Sequence, residues 1–160
     1  MQQAVSIREM VERDLAGYTE LHRLQLEYHA EWFDSMDPSW IGSDESNRLT
    51  IGFVGVDDHI ALVAEANGRL KAFLPGKILA DHPASIHKKI ADLSSIFVRE
   101  NQRGKGIGRQ LINRFLQFCR NNEATLVTVR VAKANDPTRE FYHGLGFKDF
   151  LITMHLPLET

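Results

Sequence analysis

A glycine-rich turn between a strand-like segment and a helix-like segment constrains the fold of this chain more than any other feature. The strand-like segment ends at Val98, glycines follow at positions 104, 106 and 108, and helical spacing of apolar residues continues to Asn121. The first N–H groups of a helix have no partner within the helix, and glycine lets a ligand approach them closely. The sequence therefore predicts a strand–turn–helix unit whose helix start suits a pyrophosphate.

Apolar periodicity and turn residues predict the other elements. The expected strands are Ala4–Arg8, Ile60–Ala66, Arg69–Leu79, His87–Val98, Thr125–Val131 and a last extended region, Phe147–Leu156. The expected helices are Glu12–Trp32, Gly106–Asn121 and one that starts at Asp136-Pro137, with Asp136 as its cap, and ends at Gly146. Asp34–Asn47 is expected to be a polar loop, and Leu49–Gly55 is either a short helix or irregular.

Two local signals sharpen this outline. Asn67-Gly68 lies between two apolar runs, and both residues tolerate positive φ, so it predicts a hairpin. The irregular apolar spacing within His87–Val98 indicates a β-bulge. The element order predicts an α/β domain with layered helices around a mixed sheet.

Length and composition limit the classes of protein. The chain has 160 residues, 43% hydrophobic and 25% charged, with a net charge of −2. We expect a single domain over residues 1–160 with no broad attraction to nucleic acid or membranes. It lacks an apolar run long enough to span a bilayer and a secretory pattern near Met1. A single cysteine, Cys119, excludes an internal disulfide and favours a buried thiol in a reducing cytoplasm. The seven histidines form no recognisable zinc motif, so we expect no metal site.

Three phosphate-binding patterns can be compared with the glycine turn. The Walker pattern fails because Gly106, and not Ser or Thr, follows Lys105. The dinucleotide pattern G-x-G-x-x-G fails because the third glycine is missing at Arg109. The pattern Arg/Gln-x-x-Gly-x-Gly/Ala is met by Arg103, Gly106 and Gly108. Taken alone, this segment could also be an ordinary glycine-rich turn.

The context of the turn carries a family resemblance. Downstream lie a β-branched strand at Val127–Val131, then Asn135, and then Phe141-Tyr142-His143-Gly144-Leu145-Gly146-Phe147. In this order and spacing, residues 93–147 resemble the GCN5-related N-acetyltransferase (GNAT) superfamily, whereas residues 4–79 share only its element order. The resemblance implies a mixed, mostly antiparallel sheet with splayed central strands flanked by helices.

The resemblance also implies an activity, transfer of an acetyl group from acetyl-CoA to an amine in a ternary complex, without a metal. The CoA pyrophosphate would be held by the turn residues Arg103, Gly104, Lys105, Gly106, Ile107, Gly108 and Arg109. The strand residues Ile96, Phe97 and Val98 would present backbone to the pantetheine arm, as a neighbouring strand would. Asn135 would form a hydrogen bond to the cofactor, and Tyr142 would be the general acid beside the sulfur.

The chemistry of acyl transfer supports a phenol in that position. A thiol has a pKa of about 8.5 and a phenol about 10, so a Tyr hydroxyl can protonate the departing thiolate. The attacking amine must first lose a proton, and Asp92 is the leading candidate for its base. Glu65 is a weaker candidate, Ser94 and Ser95 could hold a water chain instead, and Asp92 could simply be a solvated residue at a strand end.

The acceptor and the partners remain open in the sequence. Acidic residues and the aromatic residues Trp32, Phe33 and Trp40 would suit a small cationic amine better than a protein amine, although a solvated loop has the same composition. The acidic residues are Glu27, Glu31, Asp34, Asp37, Asp44 and Glu45. Family habit predicts a homodimer. A non-catalytic acyl-CoA-binding module is the alternative from another class; it would keep the turn without needing Tyr142.

Overall fold

A computed structural model of the protein describes residues 4–32, 37–81 and 83–158. The packing of Cα atoms divides the chain between Arg130 and Val131 into two compact units. The first contains every strand, and the second contains one helix. No helix in the described ranges is long and apolar enough to cross a bilayer.

The first unit is a six-stranded sheet with three helices. Its elements are β1 (Ser6–Glu9), α1 (Leu15–His29), α2 (Asp44–Ile51), β2 (His59–Ala66), β3 (Arg69–Ala80), β4 (Lys89–Leu93), β5 (Phe97–Val98), α3 (Ile107–Asn121) and β6 (Leu126–Val129). The strand order is β1-β2-β3-β4-β6, and β5 pairs with β3 beyond the end of β4. Only β4 and β6 are parallel, so the predicted mixed, mostly antiparallel sheet is confirmed.

The hairpin between β2 and β3 forms where the sequence predicts it. Asn67 and Gly68 have φ angles of 58° and 67°, the positive values that a two-residue turn requires. The turn places Ala66 opposite Arg69. It fixes the register at the start of the two strands, which then shifts by one residue at an irregularity between Ala64 and Glu65.

Helices α1 and α3 pack on opposite faces of the sheet. The Tyr18 ring of α1 lies 4.5 Å from the Phe73 ring of β3. A Cβ on Gly76, three residues further along β3, would overlap the Phe115 ring of α3. Residues an odd number apart on a strand face opposite sides. The apolar stripe predicted on α3 is confirmed, since its members are buried: Ile107, Leu111, Ile112, Phe115 and Cys119.

A β-bulge separates β4 from β5, as the sequence predicts. Leu93 lies opposite Gly76 and Phe97 lies opposite Phe73, so four steps on one strand match three on the other. The extra residue shifts by one position the alternation of residues whose N–H and C=O groups point toward β3. The predicted single strand His87–Val98 is therefore two shorter strands.

Helix α2 corrects the prediction of a polar loop through Asn47. The helix begins at Asp44, and the Ser43 hydroxyl accepts a hydrogen bond from the Ser46 N–H. Asp44 and Glu45 occupy the first turn, where negative charge is favourable. A short capped helix with so many polar residues has the composition of a loop, which explains the error.

The second unit contains α4 (Asp136–His143). Its cap is Asn135 and not the predicted Asp136, because the Asn135 side chain accepts a hydrogen bond from the Thr138 N–H at 3.2 Å. The helix ends at His143, and Gly146 follows with a φ of 94°. The predicted extended strand over Phe147–Leu156 is wrong, since residues 147–158 form no strand.

Candidate active site

The predicted anion site is a helix start built by glycine. Gly104 and Gly106 have φ angles of 73° and 79°, and Gly106 is the N-cap of α3. The space around both Cα atoms is open. Glycine is therefore required here for its backbone conformation, which costs other residues about 1–2 kcal/mol.

No side chain caps the start of α3. The backbone N–H groups of Ile107, Gly108 and Arg109 are the first of a helix of 15 residues, and such groups carry the positive end of the helix dipole. The first N–H that bonds back within the helix is that of Gln110, which donates to the Gly106 carbonyl. This geometry fits a pyrophosphate.

Two cations flank this helix start. Lys105 Nζ donates to the Asn101 carbonyl at 2.9 Å and lies 3.4 Å from Gln102 Oε1, both of which are uncharged. Arg109 is exposed in the first turn of α3 and forms no ion pair within the described ranges. Both positive charges thus remain uncompensated by carboxylates.

Arg103 is turned back onto α1 and β5. Its guanidinium lies 4.4 Å from the centre of the Tyr28 ring and 5.6 Å from that of Phe97. Its Nε donates to the Val98 carbonyl at 3.0 Å. In this conformation the side chain ties the turn to the strand, and its charge is partly engaged by cation–π contacts.

The outer edge of β5 offers backbone N–H groups to a ligand, while its Ile96 and Val98 carbonyls accept from Gln25 Nε2 and Arg103 Nε. The Arg99 N–H donates to the Lys71 carbonyl of β3, so by alternation Ile96 and Val98 direct their backbone groups away from β3. Phe97 faces β3 with its backbone. Among the described residues, no strand pairs with this outer edge. A pantetheine arm could add there as a strand would.

Asp92 and Ser94 lie together just before the bulge. Asp92 sits on β4 opposite Lys77 of β3 and Thr128 of β6, and Ser94 Oγ donates to Asp92 Oδ2 at 2.8 Å. The structure thus connects two of the groups considered for the removal of a proton from the acceptor. A hydroxyl between a carboxylate and its target can relay a proton.

The alternative base, Glu65, is already engaged. Its Oε2 accepts from Arg8 Nε at 3.0 Å and Nη2 at 2.5 Å. Arg8 also donates to both carboxylate oxygens of Asp14, at 2.6 and 2.9 Å. Glu65 is therefore part of a three-residue ion pair that connects β1 to β2, which argues against a role as base.

The second unit contains Asn135 and Tyr142. Asn135 is 2% exposed and caps α4. Tyr142 is 4% exposed and packs edge-on against the rings of Phe141 and Phe147. Burial raises the pKa of the Tyr142 phenol well above its usual value. The group therefore keeps its proton throughout the physiological range, as a proton donor must.

The predicted acidic and aromatic surface is divided among several roles. Trp40 lies 6.3 Å from the His22 ring, and Trp32 lies 5.0 Å from the Tyr28 ring, so both indoles pack against α1. Asp37 accepts hydrogen bonds from the backbone N–H and hydroxyl of Ser39. Glu27 and Glu31 are exposed. Phe33 and Asp34 lie outside the described residues.

Within the described chain, no group of three or more His, Cys, Asp or Glu side chains is arranged to hold a metal ion. Cys119 is buried, as the sequence predicts, and this burial raises the pKa of its thiol to about 11. His143 is exposed, as expected, and bonds to Asp149 at 2.9 Å.

Sequence reasoning missed one polar residue near this site. Gln25 of α1 is 5% exposed, and its amide bonds to Ser95 and Ile96 at the bulge. The signal was present in the sequence, because Gln25 stands in the apolar stripe between Leu21 and Tyr28. A buried amide needs partners, and their identity could not be read from the pattern.

The sequence is similar to that of known acetyltransferases. Residues 12–147 match the profile of the family described as the acetyltransferase (GNAT) family. An uncharacterized N-acetyltransferase from Methanocaldococcus jannaschii is 31% identical over 94 residues, which are 58% of this chain and 41% of that relative. The matched region thus spans less than half of the relative's length.

The fold is shared with solved structures over nearly the whole chain. A mutant protein from Bacillus halodurans has a TM-score of 0.81 at 24% identity, covering 96% of this chain and 99% of that one. AAC(6')-Iy in complex with the bisubstrate analogue CoA-S-monomethyl-acetylneamine has a TM-score of 0.77 at 19% identity, covering 99% and 100%. At these identities the likeness establishes the fold alone.

Proposed function

Because this chain belongs to the acetyltransferase (GNAT) family, we propose that it transfers an acetyl group from acetyl-CoA to a primary amine by direct attack in a ternary complex. The observation that carries this proposal is the succession of an open strand edge along β5 and an uncapped helix start at α3. The first can pair with the amides of pantetheine, and the second can bind the pyrophosphate of the same molecule.

Each proposed residue has a part in holding or reacting with the cosubstrate. The Ile96 and Val98 N–H groups pair with the pantetheine arm, while Phe97 keeps the strand on β3. The turn from Arg103 through Gly104, Lys105, Gly106, Ile107 and Gly108 to Arg109 binds the pyrophosphate. Asn135 contributes a hydrogen bond in addition to its cap.

The proton transfers are assigned to Tyr142 and Asp92. Asp92 accepts the proton that the ammonium acceptor must lose, directly or through the Ser94 hydroxyl bonded to it at 2.8 Å. Tyr142 donates its proton to the departing thiolate. Its burial keeps the phenol protonated, so a proton is available when the thiolate leaves.

A small cationic amine is the proposed acceptor, in preference to a protein amine. The exposed carboxylates of Glu27 and Glu31 favour a positive ligand. AAC(6')-Iy, which has the same fold, is described as an aminoglycoside N-acetyltransferase. We further propose a reducing, cytoplasmic setting and a single catalytic domain over residues 1–160.

A panel of amines tests the proposal. Purified protein is mixed with acetyl-CoA and polyamines, amino acids, aminoglycosides or lysine peptides, and the release of free thiol is measured. We expect release with at least one small polyamine or aminosugar and less with peptides. CoA should also raise the melting temperature where NAD and ATP do not. Stabilisation by CoA without thiol release from any amine would instead indicate an acyl-CoA-binding module.

A further inference from the structure

Gln25 is a polar side chain in the apolar stripe with which α1 covers the sheet. It is 5% exposed, and Leu21, one turn before it, is fully buried. A glutamine in such a position loses its hydrogen bonds to water and has to replace them with hydrogen bonds to protein groups. The hydrogen bonds that it makes therefore indicate its role.

Both of these bonds go to the bulge between β4 and β5. Gln25 Nε2 donates to Ser95 Oγ at 2.5 Å and to the Ile96 carbonyl at 3.2 Å. A carbonyl can only accept, so the orientation of the amide is fixed by the chemistry of its partner. Since the Ser95 oxygen accepts from Gln25, the Ser95 proton is left to point elsewhere.

Strand β3 cannot hold this part of the bulge by itself. The Ser94 N–H donates to the Pro75 carbonyl, but Pro75 has no N–H with which to return a bond. At this point β3 therefore accepts a hydrogen bond from the bulge without donating one in return. Gln25 instead holds the next residues of the bulge, Ser95 and Ile96, from outside the sheet.

We propose that Gln25 is a positioning residue for acetyl transfer. By holding the Ile96 carbonyl and the Ser95 hydroxyl from α1, it directs the Ile96 N–H along the open edge of β5, where the thioester end of acetyl-CoA would lie. This inference rests on the proposed function. It assigns to α1 a part in the alignment of the reacting carbonyl, in addition to packing.

Replacement of Gln25 by leucine tests the inference. Gln25→Leu removes both donors and keeps the stripe apolar, so we expect kcat to fall about 10- to 100-fold, because small misplacements are costly in catalysis. The KM for acetyl-CoA should change less than about threefold, since the pyrophosphate turn is untouched. Gln117→Leu makes the same change at an exposed position of α3 and should leave kcat unchanged.

Two further variants separate positioning from stability. Gln25→Glu keeps the shape, but its carboxyl can donate to the Ile96 carbonyl only while protonated. The ratio of its kcat to that of the wild type should therefore fall as pH rises, whereas a purely structural role gives a constant ratio. Ser95→Ala should be non-additive with Gln25→Leu, because both changes remove one shared interaction.

The outcomes decide the inference separately from the proposed function. A folded Gln25→Leu variant with wild-type kcat, or a flat pH ratio for Gln25→Glu, overturns it. If Gln25→Leu does not fold, Gln25→Glu and Ser95→Ala carry the test. If the wild type releases no thiol with any amine, the proposed function fails. Amide hydrogen exchange over residues 92–98 then tests whether Gln25 holds the bulge: faster exchange in Gln25→Leu supports that hold, and unchanged exchange overturns it.

Discussion

At the residue scale, the proposed acetyl transfer is tested most directly at Tyr142, the proposed general acid. Its phenol is buried against Phe141 and Phe147, so Tyr142→Phe removes one oxygen with little change in packing. We expect kcat to fall about 10²- to 10⁴-fold, the range for loss of a general acid. CoA affinity, measured by calorimetry, should stay the same.

Tyr18 offers a matched control for that substitution. It is also buried, and it packs against Phe73 in the core of the first unit. Tyr18→Phe therefore removes an oxygen from a similar environment that has no proposed catalytic part. An equal loss of kcat in both variants would contradict the role of Tyr142.

The Arg8–Asp14 pair gives the protein a specific sensitivity to acid. The hydrogen bonds from Arg8 hold the pKa of Asp14 below its usual value, so the pair stabilises the fold above the unfolded pKa of about 3.9. This stability is lost as the pH falls through the lower, folded pKa. Asp14→Asn should lower the free energy of unfolding at pH 7 by about 1–3 kcal/mol.

Urea titrations at two pH values measure this effect. The difference in unfolding free energy between the wild type and Asp14→Asn should be large at pH 7 and should shrink as the pH falls below about 3.9 toward the lower folded pKa of Asp14. A difference that stays constant across that range would show that the ionised pair contributes nothing.

At the scale of elements, the start of α3 connects stability to ligand binding. Gly106 needs a φ of 79°, so Gly106→Ala should cost about 1–2 kcal/mol of stability. The distorted helix start should also weaken CoA binding, because the N–H groups of Ile107 and Gly108 are displaced. Melting temperature and calorimetric affinity for CoA would both be measured.

The hairpin supplies the control for that variant. Gly68 has a φ of 67° in equally open space, so Gly68→Ala should lower the melting temperature by a similar amount. It lies in the turn between β2 and β3 and has no proposed ligand contact. If CoA affinity drops in both variants, the loss reflects general destabilisation and not the helix start.

The elements that could be predicted from sequence are those whose backbone is dictated locally. Asn67-Gly68 strongly favours a turn because both residues tolerate positive φ, and Gly104 and Gly106 mark the start of α3 for the same reason. Helix α2 was missed because its formation depends on the Ser43 cap and on packing of α2 against α1. Neither can be recognised in a segment whose polar composition is that of a loop. The bonds of Gln25 were invisible because they join residues 70 and 71 positions apart.

For the whole molecule, the residues after α4 indicate assembly. Phe150, Ile152 and Met154 alternate along the chain and are 88%, 76% and 89% exposed, while Leu151, between the first two, is 83% exposed. Exposed apolar stretches of this kind mark interaction sites. We propose that this segment pairs with a second copy of the chain in a homodimer.

Light scattering tests this assembly. The wild type should have the mass of two chains, and Ile152→Lys should have the mass of one, because it places a charge on the apolar side of the segment. Thr153→Lys places the same charge on the other side and should remain dimeric. A wild-type mass near one chain would remove the proposal.

The uncapped start of α3 has a consequence beyond catalysis. Part of the free energy that would secure this helix is left for a bound anion to supply, so the coenzyme also acts as a structural component of the folded state. A cell depleted of acyl-CoA would then hold more of this protein in partly opened forms, which proteases remove. The lifetime of the protein would then depend on the supply of acyl-CoA, and more of the protein would remain when acetyl-CoA is available.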